Sequence, residues 1–298
     1  MSSDQQGSSA GVLRFTKMHG CGNDYVYLDA WRQDLPEDLP ALAQVMSQRR
    51  FGVGSDGLVV LGPGQRQAAR MRMFNADGSE SEMCGNALRC CAWLAFTRGH
   101  IGTPEMVFET GAGDLPVTCL VDDQGRCTGV RVAMGTPRLE PSAVPVDHPG
   151  PGPLLELALD DVDRVPWRMI AVGMGNPHAV CCVDDVDQAP VTSVGPRIEC
   201  HPRFPRRTNV EFIARLADEG GMPVLRQRTW ERGAGETWAC GTGAAAATVA
   251  AMLTGLIPHG SAIVRLNGGD LRMSWDGHGD VVMIGPASHV YDGEWPLA

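Results

Sequence analysis

The sequence predicts an α/β (α+β) protein made of two pseudo-symmetric halves, each a curved, mostly antiparallel sheet wrapped around one central apolar helix. Two observations support this fold class: short landmarks recur at nearly constant spacing, and the same order of strand, loop and helix surrounds both copies. A chain of 298 residues is long enough for two hydrophobic cores. Its 43% hydrophobic and 20% charged residues are typical of a folded globular protein.

The landmarks occur in the same order in both parts of the chain. Gly22-Asn23 recurs as Gly175-Asn176, Arg49-Arg50 as Arg206-Arg207, and Cys84-Gly85 as Cys240-Gly241. A glutamate, Glu80 or Glu236, stands four residues before each of these cysteines. One such pair carries little information by itself, but three pairs in one order indicate duplication of a structural unit.

The elements around each cysteine follow one order. In the first half, the alternating run MRMF is a predicted strand, NADGSE a turn, and CGNALRCCAWLAFTRG a helix that ends at Gly99. In the second half, VLRQRTW is the strand, ERGAGE the loop, and CGTGAAAATVAAMLTG a helix that ends at Gly255. Alternation predicts further strands at LPVTCLV, GVRVAM, AIVRLN and DVVMIG.

The expected division of the chain follows from these elements. We expect residues 1–10 to be a disordered tail, residues 11–130 plus 287–298 to form the half that carries Cys84, and residues 131–286 to form the half that carries Cys240. The N-terminus has neither the basic region nor the apolar segment of a signal peptide. Ten cysteines without such a signal predict a reducing, cytoplasmic location.

The composition argues against several classes of partner. A net charge of −10 and a pI near 5.2 give no electrostatic reason to bind nucleic acid or an anionic membrane surface. The Ala-rich stretch 241–257 is short and interrupted by Gly and Thr, which favours a buried helix over a membrane span. No grouped CxxC or HxxxH spacing is present, so we expect no metal site.

Cys84 and Cys240 differ from the other eight cysteines because each directly precedes a predicted helix. Backbone N–H groups and the helix dipole are expected to lower the thiol pKa there. The N–H groups of Gly85-Asn86 and of Gly241-Thr242 are expected to bind a carboxylate. If the halves face each other, two thiols flank one anion site.

Two thiols on opposite sides of one site suit the inversion of a carbon stereocentre. One group removes a proton from one face, and the other supplies a proton to the opposite face. Pyridoxal phosphate, the usual aid to racemisation, needs a Schiff-base lysine. The one lysine, Lys17, lies beside no phosphate-binding loop, so we expect no cofactor.

Six motifs spread over about residues 13–295 resemble the diaminopimelate epimerase family. They are FTKMHGCGNDYVYLD, FGVGSDG, FNADGSESEMCGNALRC, GNPHAV, RTNVEF and WERGAGETWACGTGA. The resemblance implies two barrel-like domains with the site in the cleft between them. It also implies cofactor-independent interconversion of LL- and meso-2,6-diaminopimelate, in lysine and peptidoglycan precursor synthesis.

The resemblance assigns roles to residues of this chain. Cys84 and Cys240 become the acid and base, with His178 and Glu231 in support of the chemistry. The implied substrate contacts are Asn23, Asn75, Asn176, Asn209, Glu231 and Arg232, with the backbones of Gly85, Asn86, Gly241 and Thr242 around the reacting carboxylate. The family also implies a homodimer, in which Tyr291 is a candidate contact. Gly57 departs from relatives that carry Gln there, so one substrate contact is absent or replaced.

Other functions stay open on the sequence alone. A proline racemase type of enzyme would share both cysteines but bind a substrate with one amino-acid end. A racemase for another polar amino acid would use the same asparagines. A non-enzymatic binding protein would not need both cysteines, and a thiol hydrolase would pair one cysteine with His19 or His178.

Overall fold

The computed structural model describes residues 11–162 and 165–297. Within these ranges the chain forms eighteen strands and four helices. The tail predicted over residues 1–10 lies outside the described residues. No helix in the described ranges is long and apolar enough to cross a membrane.

The first part of the chain forms eight strands and two helices. They are β1 (Val12–Gly20), β2 (Asn23–Asp29), α1 (Leu39–Ser47), β3 (Gly57–Gly62), β4 (Ala69–Asn75), β5 (Glu80–Ser81), α2 (Gly85–Thr97), β6 (Glu105–Thr110), β7 (Gly113–Val121) and β8 (Cys127–Ala133). Strand β2 pairs with β1 in antiparallel and with β3 in parallel fashion. Strand β4 pairs antiparallel with β3 and β5 and parallel with β6, and β6, β7 and β8 follow as antiparallel neighbours.

The second part of the chain repeats this arrangement. It contains β9 (Leu157–Leu159), β10 (Trp167–Gly173), β11 (Pro177–Cys182), α3 (Val191–Glu199), β12 (Asn209–Glu219), β13 (Met222–Glu231), β14 (Gly235–Thr237), α4 (Gly241–Leu253), β15 (Gly260–Leu266), β16 (Gly269–Trp275), β17 (Val282–Gly285) and β18 (Ser288–Pro296). The pairings from β10 to β17 match those from β1 to β8 in order and direction. The duplication read from the landmarks is therefore present in the strand pairing.

Two sets of contacts relate the repeats. Strands β8 and β17 pair antiparallel and join the two sets of strands. The C-terminal strand β18 pairs with β1, in the place that β9 takes beside β10. The return of β18 to β1 supports the proposed assignment of residues 287–298 to the first half.

Helices α2 and α4 lie at the centre of the curved sheet. Helix α2 packs against β1, β2, β3, β7 and β8, and α4 packs against β10–β13 and β15–β17. Ten of the thirteen residues of α2 and eleven of the thirteen of α4 are buried. Helix α4 has no polar face because it is buried on all sides. Its small alanine side chains let the surrounding strands approach closely. Gly99 and Gly255 follow the two helices with φ near +72° and +73°, as predicted for their ends.

Candidate active site

The two cysteines singled out by the repeat occupy the same position in their helices. Cys84 is the N-cap of α2 and Cys240 is the N-cap of α4, both with extended backbone. The first backbone bonds of the helices run from Leu88 N to Cys84 O and from Ala244 N to Cys240 O. The N–H groups ahead of those bonds have no acceptor inside the helix, so each cysteine lies beside donors that suit a carboxylate.

The first turns of α2 and α4 meet at one place. The side-chain amide of Asn86 donates to the carbonyl oxygen of Ala239 at 3.1 Å. A Cβ built on Gly85 would lie 3.0 Å from Met283 Cε, and one on Gly241 would lie 3.4 Å from Met283 Sδ. Because both glycines face one methionine, the two helix starts border the same space.

The Cys84 thiol is partly buried between the start of α2 and the start of β2. Its Sγ donates to Asn23 Oδ1 at 3.4 Å. The same oxygen accepts a 3.2 Å bond from the Asn86 amide, and Asn23 Nδ2 donates to Asp56 Oδ2 at 2.8 Å. Asp56 therefore fixes the amide that orients the Cys84 thiol. The motif GVGSDG contained Asp56, but no role followed from the sequence.

The Cys240 thiol is buried and contacts the first turn of α4. Its Sγ accepts a 3.3 Å bond from Gly243 N and lies 3.5 Å from Thr242 Oγ1. Burial raises the pKa of the Cys240 thiol well above its ordinary value, and the carboxylates of Glu231 and Glu211 raise it further.

The expectation that the helix N-termini lower the pKa of both thiols is wrong in this structure. Burial raises the pKa of Cys84 as well, and the backbone N–H groups of Ala87 and Asn86 offset only part of that rise. Glu231 contributes to the raised pKa of both cysteines, so its negative charge acts on both thiols.

Glu231 is the last residue of β13, beside the loop that leads to Cys240. Its Oε1 accepts a hydrogen bond from Thr237 Oγ1. Burial raises the pKa of Glu231, while bonds from Thr237 and Cys240 lower it. The buried carboxyl group of Glu231 therefore favours its protonated form more than an exposed glutamate does.

His178 is fully buried and holds two neighbours in place. Its Nδ1 lies 2.8 Å from Glu211 Oε1, and its Nε2 lies 2.9 Å from Asn176 Oδ1. The other candidate, His19, accepts a 3.2 Å bond from Gly22 N. Among the described residues neither histidine bonds to a thiol, which argues against the hydrolase alternative.

Asn209 and Arg232 form the outer part of the predicted binding set. Asn209 is buried, donates to Pro177 O at 2.9 Å, and accepts a 2.9 Å bond from Arg232 N. The exposed guanidinium of Arg232 donates to Arg206 O at 3.1 Å. Among the described residues no carboxylate contacts this guanidinium, so its remaining donors are available to a ligand.

Asn75 and Gly57 face each other across β3 and β4. Asn75 Nδ2 donates to Ser79 Oγ at 2.9 Å, and among the described residues no hydrogen bond joins its side chain to the other predicted site residues. A Cβ on Gly57 would lie 2.2 Å from Phe74 O, so this backbone excludes a side chain unless β4 shifts. The glutamine that the family resemblance led us to consider at this position therefore does not fit this local backbone.

Lys17 and Cys21 are both bound by other groups of the protein. Lys17 is buried, bonds to the Gly54 carbonyl and forms an ion pair with Asp24. Cys21 is buried with its Sγ 4.0 Å from Arg89 Nη2, and burial raises the pKa of its thiol. Neither contact joins these groups to Cys84 or Cys240.

Comparison with known proteins decides the family. The diaminopimelate epimerase family model matches residues 15–140 and 170–290. A diaminopimelate epimerase of Moorella thermoacetica is 48% identical over 288 residues, which cover 96% of this chain and 100% of that protein. One of Leptospira biflexa is 44% identical over 282 residues, covering 95% and 98% of the two chains. The chain belongs to the diaminopimelate epimerase family. It is therefore an isomerase of the epimerase class.

Solved structures confirm the predicted fold of this epimerase. A Bacillus anthracis phenazine biosynthesis protein of the PhzF family aligns with a TM-score of 0.69 at 17% identity, over 96% of this chain and 99% of that one. A probable proline racemase from Agrobacterium radiobacter aligns with a TM-score of 0.64 at 17% identity, over 96% and 93%. At this identity the likeness concerns the fold alone.

Two buried carboxylates of the epimerase were missed in the sequence. Glu211 supports His178, as described above. Glu199, the last residue of α3, accepts from Trp230 Nε1 at 2.7 Å and from Gly233 N at 3.1 Å. These two bonds bracket Glu231 and Arg232, so Glu199 fixes the loop that carries both. A glutamate at a helix end far from the motif gives no sequence signal for such a contact.

Proposed function

We propose that this chain interconverts LL- and meso-2,6-diaminopimelate by two-base proton transfer at the α-carbon, with Cys84 and Cys240 as thiolate and thiol. No cofactor takes part in the proposed reaction, which would serve lysine and peptidoglycan precursor biosynthesis. Family membership and the names of relatives such as the Moorella thermoacetica enzyme support the substrate. The mechanism is supported by the residues of the site.

The observation that carries the mechanism is the meeting of the two helix starts. The 3.1 Å bond from Asn86 to Ala239 O, and the shared contact with Met283, bring one N-cap thiol from each repeat to one space. Racemisation by two groups requires that the acid and the base approach one carbon from opposite faces. A duplicated fold supplies such a pair, because each repeat contributes one helix start.

The same geometry can stabilise the negative charge that develops on the substrate when the α-proton leaves. The N–H groups of Gly85, Asn86, Gly241 and Thr242 begin the two helices, where the dipoles favour negative charge. We propose that they bind the α-carboxylate and stabilise its enediolate-like form in the transition state. The asparagine amides and Glu231 are proposed to bind ammonium groups, and Arg232 the distal carboxylate.

The surroundings favour ionisation at Cys84 over Cys240. The backbone N–H groups of Ala87 and Asn86 and the guanidinium of Arg89 lower the pKa of Cys84 against the effect of burial. Two carboxylates raise the pKa of Cys240 in addition to burial. We therefore assign the thiolate to Cys84 and the thiol to Cys240 when the cycle begins, with the roles reversed for the other stereoisomer.

Two further parts of the proposal concern assembly and location. We propose a homodimer that forms through β18, which pairs with β1 on one side and exposes Val290 and Tyr291. Tyr291 also contacts the ring of Phe15 edge-on at 6.0 Å, so its exposed part is held in a fixed orientation. We propose the cytoplasm as the compartment, because two catalytic thiols need reducing conditions.

The proposal is tested by incubating the purified protein with LL-diaminopimelate and no added cofactor. Chiral chromatography is expected to show conversion to the meso isomer until the two reach equilibrium. L-lysine, L-ornithine and L-proline are run in parallel, because they lack the distal amino-acid end that Arg232 is proposed to bind. Turnover of one of these in place of diaminopimelate would replace the proposal with the alternative of a racemase for another amino acid.

A further inference from the structure

The glutamates that recur four residues before each cysteine form matching ion pairs. Arg72 Nε donates to Glu80 Oε1 at 2.8 Å, and its Nη2 donates to Glu80 Oε2 at 3.0 Å. In the second repeat, Arg228 Nε donates to Glu236 Oε1 at 2.7 Å, and its Nη2 donates to Glu236 Oε2 at 3.1 Å. The same atoms of the same residue types form the same two-point contact in both repeats.

The two pairs also occupy equivalent positions in the strand register. Glu80 lies opposite Phe74 in the pairing of β4 with β5, and Glu236 lies opposite Trp230 in the pairing of β13 with β14. In each case the arginine stands two residues before the opposing aromatic residue on the long strand. The repeat therefore preserves a side-chain contact as well as a backbone arrangement.

The strands that these pairs hold are very short. Strand β5 has two residues and β14 has three, and each is followed directly by the segment that ends in Cys84 or Cys240. So few backbone bonds fix a loop poorly, since short strand pairs are weak on their own. A planar guanidinium bound at two points restricts both position and orientation of the carboxylate it holds.

The pair in the second repeat is better shielded and more extensively bonded. The side chains of Arg228 and Glu236 are 18% and 20% exposed, against 36% and 49% for Arg72 and Glu80. Arg228 Nη1 also donates to the carbonyl oxygens of Val186 and Asp187, both at 3.2 Å. Solvent weakens exposed ion pairs, so the second pair restrains its loop more strongly.

We infer that Arg72–Glu80 and Arg228–Glu236 are positioning pairs, each of which fixes the loop that places one thiol, Cys84 or Cys240, at the reacting carbon. This inference rests on the proposed two-thiol reaction. Two sulfurs must approach one carbon from opposite faces, and a misplacement of about 1 Å can cost on the order of a hundredfold in rate. Each pair restrains one side of that arrangement.

A third two-point arginine–glutamate pair, between Arg265 and Glu219, provides a control; Arg265 is also bound by Asp270. Arg265 Nη1 donates to Glu219 Oε1 at 2.8 Å, and Nη2 donates to Oε2 at 2.9 Å. Its residues belong to β15 and to the end of β12, and neither leads into a cysteine. Removing this contact changes a two-point arginine–glutamate pair without loosening either thiol loop.

The test compares the variants Glu80→Gln, Glu236→Gln and Glu219→Gln with the unchanged protein. Iodoacetamide is added without substrate, and mass spectrometry of peptides gives the alkylation rate at Cys84 and at Cys240 separately. We expect Glu80→Gln to raise the rate at Cys84 about threefold to tenfold and to leave Cys240 unchanged. We expect Glu236→Gln to raise the rate at Cys240 by a larger factor and to leave Cys84 unchanged. Glu219→Gln is expected to change neither.

Kinetics with diaminopimelate give the second measurement. A lost positioning contact is expected to lower kcat about tenfold while KM stays within about twofold, because the substrate still binds. Arg72→Lys keeps the positive charge but not the two-point contact. Its kcat is expected to show more than half of the loss seen in Glu80→Gln. It also serves as the test variant if Glu80→Gln fails to fold.

The outcomes separate this inference from the proposed function. Equal changes at both thiols in each variant, or changes no larger than those of Glu219→Gln, would overturn the positioning role. Absence of diaminopimelate turnover in the unchanged protein would refute the proposed function. Alkylation needs no substrate, so the alkylation rates would still test whether the two ion pairs position the thiol loops.

Discussion

Asn86, in the first turn of α2, donates a 3.1 Å hydrogen bond to the carbonyl oxygen of Ala239, the residue before Cys240. The same amide group donates to Asn23 Oδ1, which also accepts from the Cys84 thiol. One side chain thus connects the surroundings of both cysteines. This bond ties the two helix starts together, which supports the proposal that the two thiols belong to one site.

Replacing either Cys84 or Cys240 by alanine is expected to abolish epimerisation, since each thiol is proposed to serve one face of the carbon. The fold is expected to remain, because an alanine fits either N-cap without a clash. Epimerase assays and far-UV circular dichroism measure the two effects. Cys90→Ala is the matched control in α2: Cys90 is fully buried, so we expect about 1 kcal/mol lower stability and normal turnover. Near-normal turnover by Cys84→Ala or Cys240→Ala would refute the two-base mechanism.

Arg232→Ala is expected to weaken the binding of a substrate with two amino-acid ends. A charge-assisted bond to a carboxylate contributes about 1.5–3 kcal/mol, so kcat/KM is expected to fall by about one to two decades. The backbone N–H of residue 232 still bonds to Asn209, so the loop is expected to keep its place. Arg66→Ala, which removes an exposed arginine paired with Asp114, is the control. Normal kinetics of Arg232→Ala would mean that another group binds the distal carboxylate.

The pH dependence of alkylation follows from the raised pKa of both thiols. Since thiolate is the reacting form, we expect the rate at Cys84 and Cys240 to keep rising with pH beyond the pKa of an ordinary cysteine. Glu231 raises both pKa values, so Glu231→Gln is expected to lower them and to move both rate profiles to lower pH. Iodoacetamide rates from pH 6 to pH 10 give the profiles. A shift at one cysteine only would place Glu231 beside that thiol alone.

Glu199→Gln is expected to loosen the segment that carries Glu231 and Arg232. Trp230 Nε1 and Gly233 N donate to different oxygens of Glu199, and glutamine carries an NH₂ group in place of one of them. One partly buried donor therefore loses its partner, at a cost of about 1 kcal/mol. Thermal unfolding is expected at lower temperature, and KM is expected to rise more than kcat falls. An unchanged KM in a destabilised variant would show that Glu199 serves the fold and not the binding loop.

Much of the architecture could be predicted because duplication leaves a regular signal in the sequence. The Cys-Gly pairs and their glutamates located both helix starts, and the glycines at 99 and 255 located the helix ends. The fold class followed from those elements and is confirmed. The division into halves and the assigned site residues stay proposals, which the strand pairing and the side-chain contacts support.

The rest depends on contacts between distant segments, which no local pattern encodes. Glu199 reaches Trp230 across 31 positions, and His178 reaches Glu211 across 33. The pKa of both thiols is raised, whereas the sequence predicted that it is lowered. Burial, which the sequence does not report, outweighs the helix-end donors. The exclusion of a side chain at Gly57 likewise depends on the carbonyl of Phe74 in the neighbouring strand.

The most direct test of the two-thiol account is the isotope content of product and substrate early in the reaction in D₂O. LL-diaminopimelate is incubated with the enzyme, and the reaction is stopped before about a tenth has reacted. Both stereoisomers are then separated, and mass spectrometry gives the deuterium content of each. The thiol that supplies the new proton carries solvent deuterium, while the other thiol takes protium from the opposite face. We predict that the meso product contains one deuterium and that the recovered LL isomer contains none. Meso product that retains the substrate's own hydrogen would show that a single base acts on both faces, and would contradict the account.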